Sequence, residues 1–132
     1  MMSREISIAA IAAAVFLGVV VAGCQSSNEG VGDSQGGPDK AHGKQIFTVI
    51  CATCHNIDGT GIKGLGKSFV TSEYVRKASD DQLVDLLTKG RDAKDPLNTT
   101  GVVMPPKGGN PSLSEKDLRD VVAYVRTLNQ PG

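Results

Sequence analysis

Apolar positions recur at helical spacing in three stretches of this chain, and nowhere do they alternate long enough to make a strand. Behind Asp39 as N-cap, "KAHGKQIFTVICA" puts Gly43, Phe47, Ile50 and Cys51 on one helical face that continues to Cys54. A second helix starts at Ser79, with Gln82 placed for a capping box. It buries Leu83, Leu86 and Leu87 and stops at Gly90. The third starts at Ser114, with Asp117 as its acidic partner and Leu113 and Leu118 as a hydrophobic staple. Leu118, Val121, Val122, Val125 and Leu128 then form one stripe that ends before Pro131. A shorter helical piece is expected over Ser72 to Ala78. The predicted class is all-α.

Two stretches lack any period. "HNIDGTGIKGLGKS" carries four glycines and reads as a loop. Arg91 to Leu113 runs for 23 residues with four prolines. A structureless segment of that length in a small domain calls for a job. Met104 stands near its middle, and Pro105 and Pro106 restrict the chain just after it.

Ahead of Asp39 the pattern changes again. Arg4 is followed by 18 uncharged, mostly apolar residues from Ile6 to Gly23, and then by Cys24. A positive start, an apolar stretch and small residues before a cut describe an export signal. The ending "VAGC" is similar to the lipobox of bacterial lipoproteins, in which Cys24 would be lipidated and become the first mature residue. A retained transmembrane helix is the alternative, since the run just reaches spanning length. A span alone needs no cysteine at that junction, so the lipoprotein reading is preferred. Residues 24–38, with four glycines and only Val31 as an aliphatic, read as a flexible tether of about 20 Å root-mean-square reach. The expected organisation is a signal over 1–23, a lipidated cysteine and linker over 24–38, and one domain over 39–132, outside the cytoplasm on a membrane surface.

The 132 residues hold 14 Lys and Arg against 14 Asp and Glu, so no strong field favours nucleic acid. Only five aromatics are present, Phe16, Phe47, Phe69, Tyr74 and Tyr124. A small domain with so few large apolar side chains builds a thin core, a situation often relieved by a metal, a disulfide or a cofactor.

The chemistry concentrates in "CATCH", Cys51 to His55. A redox dithiol wants its Cys-x-x-Cys at a helix N-terminus in a βαβ setting, and here the pair follows a helix. A structural zinc needs four ligands, and beyond Cys51, Cys54 and His55 only His42 stands free, since Cys24 lies across the tether. Cys-x-x-Cys-His is also the attachment signature of c-type haem. Thioethers to two vinyl groups need thiols about one helical turn apart, and the adjacent histidine then reaches the iron as proximal ligand. For the distal side, Met104 is the only methionine outside the signal. A methionine ordinarily fills core gaps, but the long loop, its prolines and its lack of period favour a ligand crossing the distal face. His42, nine residues before Cys51 and roughly 13 Å along the helix, is expected to face solvent.

From Asp39 to Asn129 these features resemble the class I mono-haem cytochromes c. "GKQIF" looks like that family's N-terminal helix, in which the glycine allows a close crossing and the aromatic packs four residues before the first haem cysteine. "VVAYVRTL" is similar to its C-terminal partner, with Val121 and Tyr124 at the crossing. "NTTGVVMPPKGGNPSLSEKDLRDVVAYVR" looks like the distal loop and last helix of small bacterial cytochromes related to oxidase-associated haem domains. The resemblance implies a cytochrome c fold, with helices around one covalently bound haem c and the terminal helices crossing. It departs where the family usually has a proline whose carbonyl steadies the histidine. Lys67 stands there, which leaves the carbonyl of Gly66 or Lys67 to do that work. Arg91 and Asn98 are open between haem propionate contacts and an ordinary solvated arginine and turn asparagine.

The expectation is a lipid-anchored carrier of single electrons between respiratory redox proteins, with no enzymatic chemistry and no nucleic acid partner. Alternatives are a haem subunit devoted to one dehydrogenase or oxidase, or a peroxidase or gas sensor in which Met104 dissociates.

Overall fold

The computed structural model describes residues 36–129. The expected signal over 1–23, Cys24 and most of the tether over 24–38 lie outside the described residues.

The described chain is all-α, as its periodicity predicts. It runs through α1 (Lys40–Ile46), a π-helical turn (Phe47–Cys51), α2 (Ala52–His55), α3 (Glu73–Lys77), α4 (Asp80–Lys89), a 3₁₀ turn (Pro106–Gly109) and α5 (Glu115–Leu128). Among the described residues the only strand-like pairings are two isolated bridges, Ile62 with Gly66 and Arg91 with Met104.

Four helices start on a side chain that satisfies their free amides. Asp39 accepts from the amides of Ala41 and His42, and Ser72 from that of Val75. Ser79 with Gln82 and Ser114 with Asp117 form complete reciprocal capping boxes. All but the Ser72 cap are legible as spacing alone.

The core forms where α1 and α4 pack on α5. Phe47, Leu83, Val84, Leu118, Val121, Val122 and Val125 are all buried in it, and Val75 of α3 joins them. Phe47 is fully buried, edge-on to Tyr124 at 5.2 Å and to Phe69 at 5.9 Å. Removing such a ring costs about 3–5 kcal/mol. In α4 the buried pair is Leu83 and Val84, whereas Leu86 and Leu87 are only half-buried. These two leucines line an apolar cleft that Leu83 also reaches, and Leu87 packs against the core as well.

Gly43 fixes the spacing of α1 and α5. A Cβ there would lie 1.9 Å from the Asp120 carbonyl oxygen and 2.8 Å from the Val121 amide nitrogen. The helices touch backbone to backbone at this point. Beside the crossing, Asp120 is a fully buried carboxylate. Its Oδ1 accepts from the Asp39 amide at 2.7 Å, and its Oδ2 lies 2.9 Å from both His42 Nδ1 and Lys116 Nζ. Burial by itself would raise the Asp120 carboxyl, but these three hydrogen bonds outweigh it and hold the pKa below the ordinary value. His42 therefore does not simply face solvent. It is a latch between the helices, invisible in the sequence because its partner is 78 positions away.

Gly43→Ala inserts a methyl group against backbone that has no rotamer to yield. A loss of about 1–3 kcal/mol or more is expected, read as a lower denaturant midpoint of the cofactor-loaded protein. An unchanged midpoint would show that the two helices can separate there at no cost.

Candidate metal centre

The N-terminal helical segment ends by delivering three chemically active side chains to one place. After α1 the backbone widens into the π turn over Phe47–Cys51, then tightens into α2. Such local widenings cluster at functional sites. Asn56 leaves the helix at φ +63°, in the left-handed region, so the chain turns away at once after His55. Cys51, Cys54 and His55 all line one cleft with about 1390 Å³ of empty space, its open mouth included. Its walls are mainly apolar, with Phe47, Val75, Leu83 and Leu87 among them.

His55 is held in one orientation. Its Nδ1 lies 2.8 Å from the Lys67 carbonyl oxygen, which makes Nδ1–H the donor and leaves Nε2 with its lone pair. Its ring stacks on Phe69, with centroids 4.2 Å apart and planes 25° apart. Burial lowers the imidazole pKa, opposed by the bond to Lys67, a direction that favours the neutral ring a metal ligand needs. The residue standing in for the expected proline thus supplies the carbonyl itself. Gly66 makes that approach possible: a Cβ there would sit 2.2 Å from the Cys54 carbonyl oxygen and 3.2 Å from His55 Nδ1.

The Cys51 thiol is unlike the reactive thiol of a redox dithiol. Burial, and then the neighbouring Cys54, push the Cys51 thiol up to about 11, where a reactive cysteine needs the opposite shift. Structural zinc is no better served. Among the described residues, the histidine and carboxylate atoms that converge within 4.8 Å belong to His42, Asp117 and Asp120, away from the cysteines. The Lys116 ammonium already occupies Asp120 there.

Met104 enters the same cleft from the loop after α4. Its backbone pairs with that of Arg91 in both directions, at 2.7 and 2.9 Å, and closes off residues 92–103. Gly90 is the seat of this pairing. It holds φ +71°, and a Cβ there would lie 2.3 Å from the Met104 carbonyl oxygen. The sequence shows Gly90 only as a helix stop.

Arg91 and Asn98 part company. Asn98 Nδ2 donates to the carbonyls of Asp92 and Val102, and its Oδ1 accepts from the Thr100 amide and hydroxyl and the Gly101 amide. All its capacity goes into knitting the loop. Arg91 also lines the cleft, with its guanidinium 5.0 Å from the Tyr74 ring centroid, but its buried Nε has no hydrogen-bond partner. The nearest carboxylate, Asp95 Oδ2, is 3.9 Å away. A buried, under-satisfied cation on the wall of an apolar cleft fits an occupant that is mostly apolar and carries an anionic group. Haem has both properties. With two thiols one turn apart and a neutral imidazole beside them, the residues present fit that group.

The cytochrome c family model matches residues 40–129. Cytochrome c-555 of Prosthecochloris aestuarii is 29% identical over 89 residues, covering 66% of this chain and 85% of that protein. The Cbb3-type cytochrome c oxidase subunit FixP of Azorhizobium caulinodans is 34% identical over 92 residues, 69% of this chain but 28% of that longer protein. The solved structure of cytochrome c6 from the diatom Phaeodactylum tricornutum is similar with 27% identity and a TM-score of 0.49, covering 67% of this chain and 92% of that one.

Gly66→Ala places a methyl group where the Cys54 carbonyl and the His55 ring meet the loop. The expected result is a severalfold lower share of exported polypeptide carrying haem, read as the ratio of haem to protein absorbance. A wild-type ratio would show that the loop yields at no cost.

Proposed function

The chain belongs to the cytochrome c family, and from that premise we propose that it is a membrane-tethered mono-haem electron carrier in which His55 and Met104 are the axial ligands. Haem c, covalently attached, is the family's cofactor, and Cys51 and Cys54 have the spacing for its two thioethers. When bound, it supplies a one-electron iron couple.

The observation that carries the ligand assignment is the shared cleft. His55, with its free Nε2, and Met104, with its backbone clamped to Arg91, line the same apolar space. On this reading His55 would hold the iron with a basicity set by its bond to Lys67. Met104 supplies the soft ligand that raises the potential. The pairing with Arg91 and the turn at Pro105 hold the backbone that carries it. Held by both His55 and Met104, the iron would keep no open site for substrate, and the remaining activity would be transfer of an electron through the cleft mouth. Leu65, Val102 and Val103 rim that mouth and stay 36, 38 and 53% exposed, an apolar border on which a redox partner can dock. The oxidase-subunit name of one relative supports a partner among respiratory complexes. The N-terminal sequence supports lipidation at Cys24, a tether over 24–38 and an extracytoplasmic domain from 39 onward.

Met104→Ala should abolish the methionine-to-ferric-haem charge-transfer band and let reduced protein bind carbon monoxide rapidly. Survival of the band would reject the ligand assignment, and rapid carbon monoxide binding by the wild type would favour a sensor or peroxidase instead. For the tether, Cys24→Ser should release the haem protein from the membrane fraction into the soluble one. Equal membrane retention of the two proteins would contradict lipidation.

A further inference from the structure

We propose that Asn129 is a positioning residue for the proximal imidazole and acts on it through the turn that carries Phe69. The inference rests on His55 being an axial ligand.

Asn129 stands just beyond α5, where its own amide caps the helix on the Val125 carbonyl at 3.2 Å. Its side chain does something unrelated to capping. The two hydrogens of Nδ2 are shared among the carbonyls of Phe69 at 2.6 Å, Ser72 at 3.1 Å and Val70 at 3.3 Å. One amide group thus gathers the whole turn between the glycine-rich loop and α3. Within itself that turn has a single long backbone bond, from the Ser72 amide to the Phe69 carbonyl at 3.3 Å.

The gathered turn is the one that orients His55. Phe69 lies flat against the imidazole, and Lys67, two residues earlier, accepts the Nδ1–H. The Phe69 amide is fastened to Gly59 at 2.7 Å, so the near end of the segment is anchored by the loop. Its far end is anchored by Asn129. The second polar clamp from α5 reaches elsewhere: Arg126 donates to the carbonyls of Val75 and Ala78 and to Asp80, beyond the His55 contacts. Asn129 and Arg126 therefore perform similar structural work on successive segments, and only one of these segments touches the imidazole.

A ligating histidine is as basic as its outer hydrogen bond makes it. Releasing the 69–72 turn lets Phe69 and Lys67 drift from the ring and weakens the Nδ1–H bond. With haem bound, the imidazole would then donate less to the metal, the ferric state would lose support and the potential would rise.

The test uses exported holoprotein carrying Asn129→Ala or Asn129→Asp, with Arg126→Gln as the structural control. Potentiometric titration should show the equilibrium between reduced and oxidised forms shifted at least about threefold toward reduced in both Asn129 variants. That is about 28 mV for one electron, where tenfold is 59 mV. The haem-methyl proton resonances of the ferric protein, whose spread follows the orientation of the imidazole plane, should reorder. Arg126→Gln should lower the unfolding midpoint comparably while leaving both readouts in place. Folded Asn129 variants with wild-type potential and methyl pattern overturn the proposal, as does an equal shift in Arg126→Gln. Should neither Asn129 variant load haem, Phe69→Leu removes the stacked ring and keeps the backbone bonds. It must then produce the methyl reordering, and a wild-type pattern there is also a refutation. A wild-type ferric spectrum without an imidazole-ligated low-spin signature would instead sink the His55 assignment, before any variant is made.

Discussion

The backbone contact between α1 and α5 at Gly43 is the constraint on which the rest of the domain depends. It sets the distance between two helices whose shared apolar layer around Phe47, Val121 and Val125 is thin. Because the chain from Lys40 to His55 is one helical run, fixing its first turns against α5 also fixes where Cys51, Cys54 and His55 emerge. The polar latch of Asp120 with His42, Lys116 and the Asp39 amide stands beside the same crossing. Its buried carboxylate is tolerable because both oxygens are bonded. The crossing thus positions a site some two to three helical turns away without touching it.

The site combines two kinds of support. On the side of His55, contacts are local and dense: Gly66 against Cys54, the Lys67 carbonyl on Nδ1, and Phe69 stacked on the ring. On the side of Met104 the support is a closed loop, with two backbone bonds to Arg91 at its neck and Asn98 filling its interior. Lys107 helps to fasten the segment between Met104 and α5, reaching the Leu113 carbonyl at 2.6 Å. Cysteines, imidazole and thioether are thus contributed by two stretches of chain that meet at the cleft and where Ile50 packs close to Gly108. An electron carrier gains from such rigidity, since little has to rearrange when the iron changes charge.

Much of this is legible in the sequence, for identifiable reasons. Capping side chains act within three residues, so Ser79, Ser114 and Asp39 announce their helices. The apolar stripe of α5 is a one-dimensional pattern and is readable as such. Cys51, Cys54 and His55 are adjacent in sequence because the chemistry needs them within one turn. Met104 stands out by elimination, as the methionine left in an otherwise unexplained loop. Hidden from the sequence is whatever depends on partners far along the chain: His42 bonding Asp120, Gly90 seating Met104, Asn98 turned inward on its own loop, and Asn129 reaching back to Phe69. That the cleft leaves Leu86 and Leu87 half-buried while Leu83 is covered is hidden for a related reason, since helical spacing marks apolar positions without saying what will cover them.

Everything rests on Cys51 and Cys54 being occupied by one covalently held haem. The most direct test is the mass of the exported protein after full denaturation, combined with alkylation of whatever thiols remain. The account predicts a polypeptide heavier by one haem, with neither Cys51 nor Cys54 available to the reagent. A polypeptide of unmodified mass with both cysteines alkylated would contradict it.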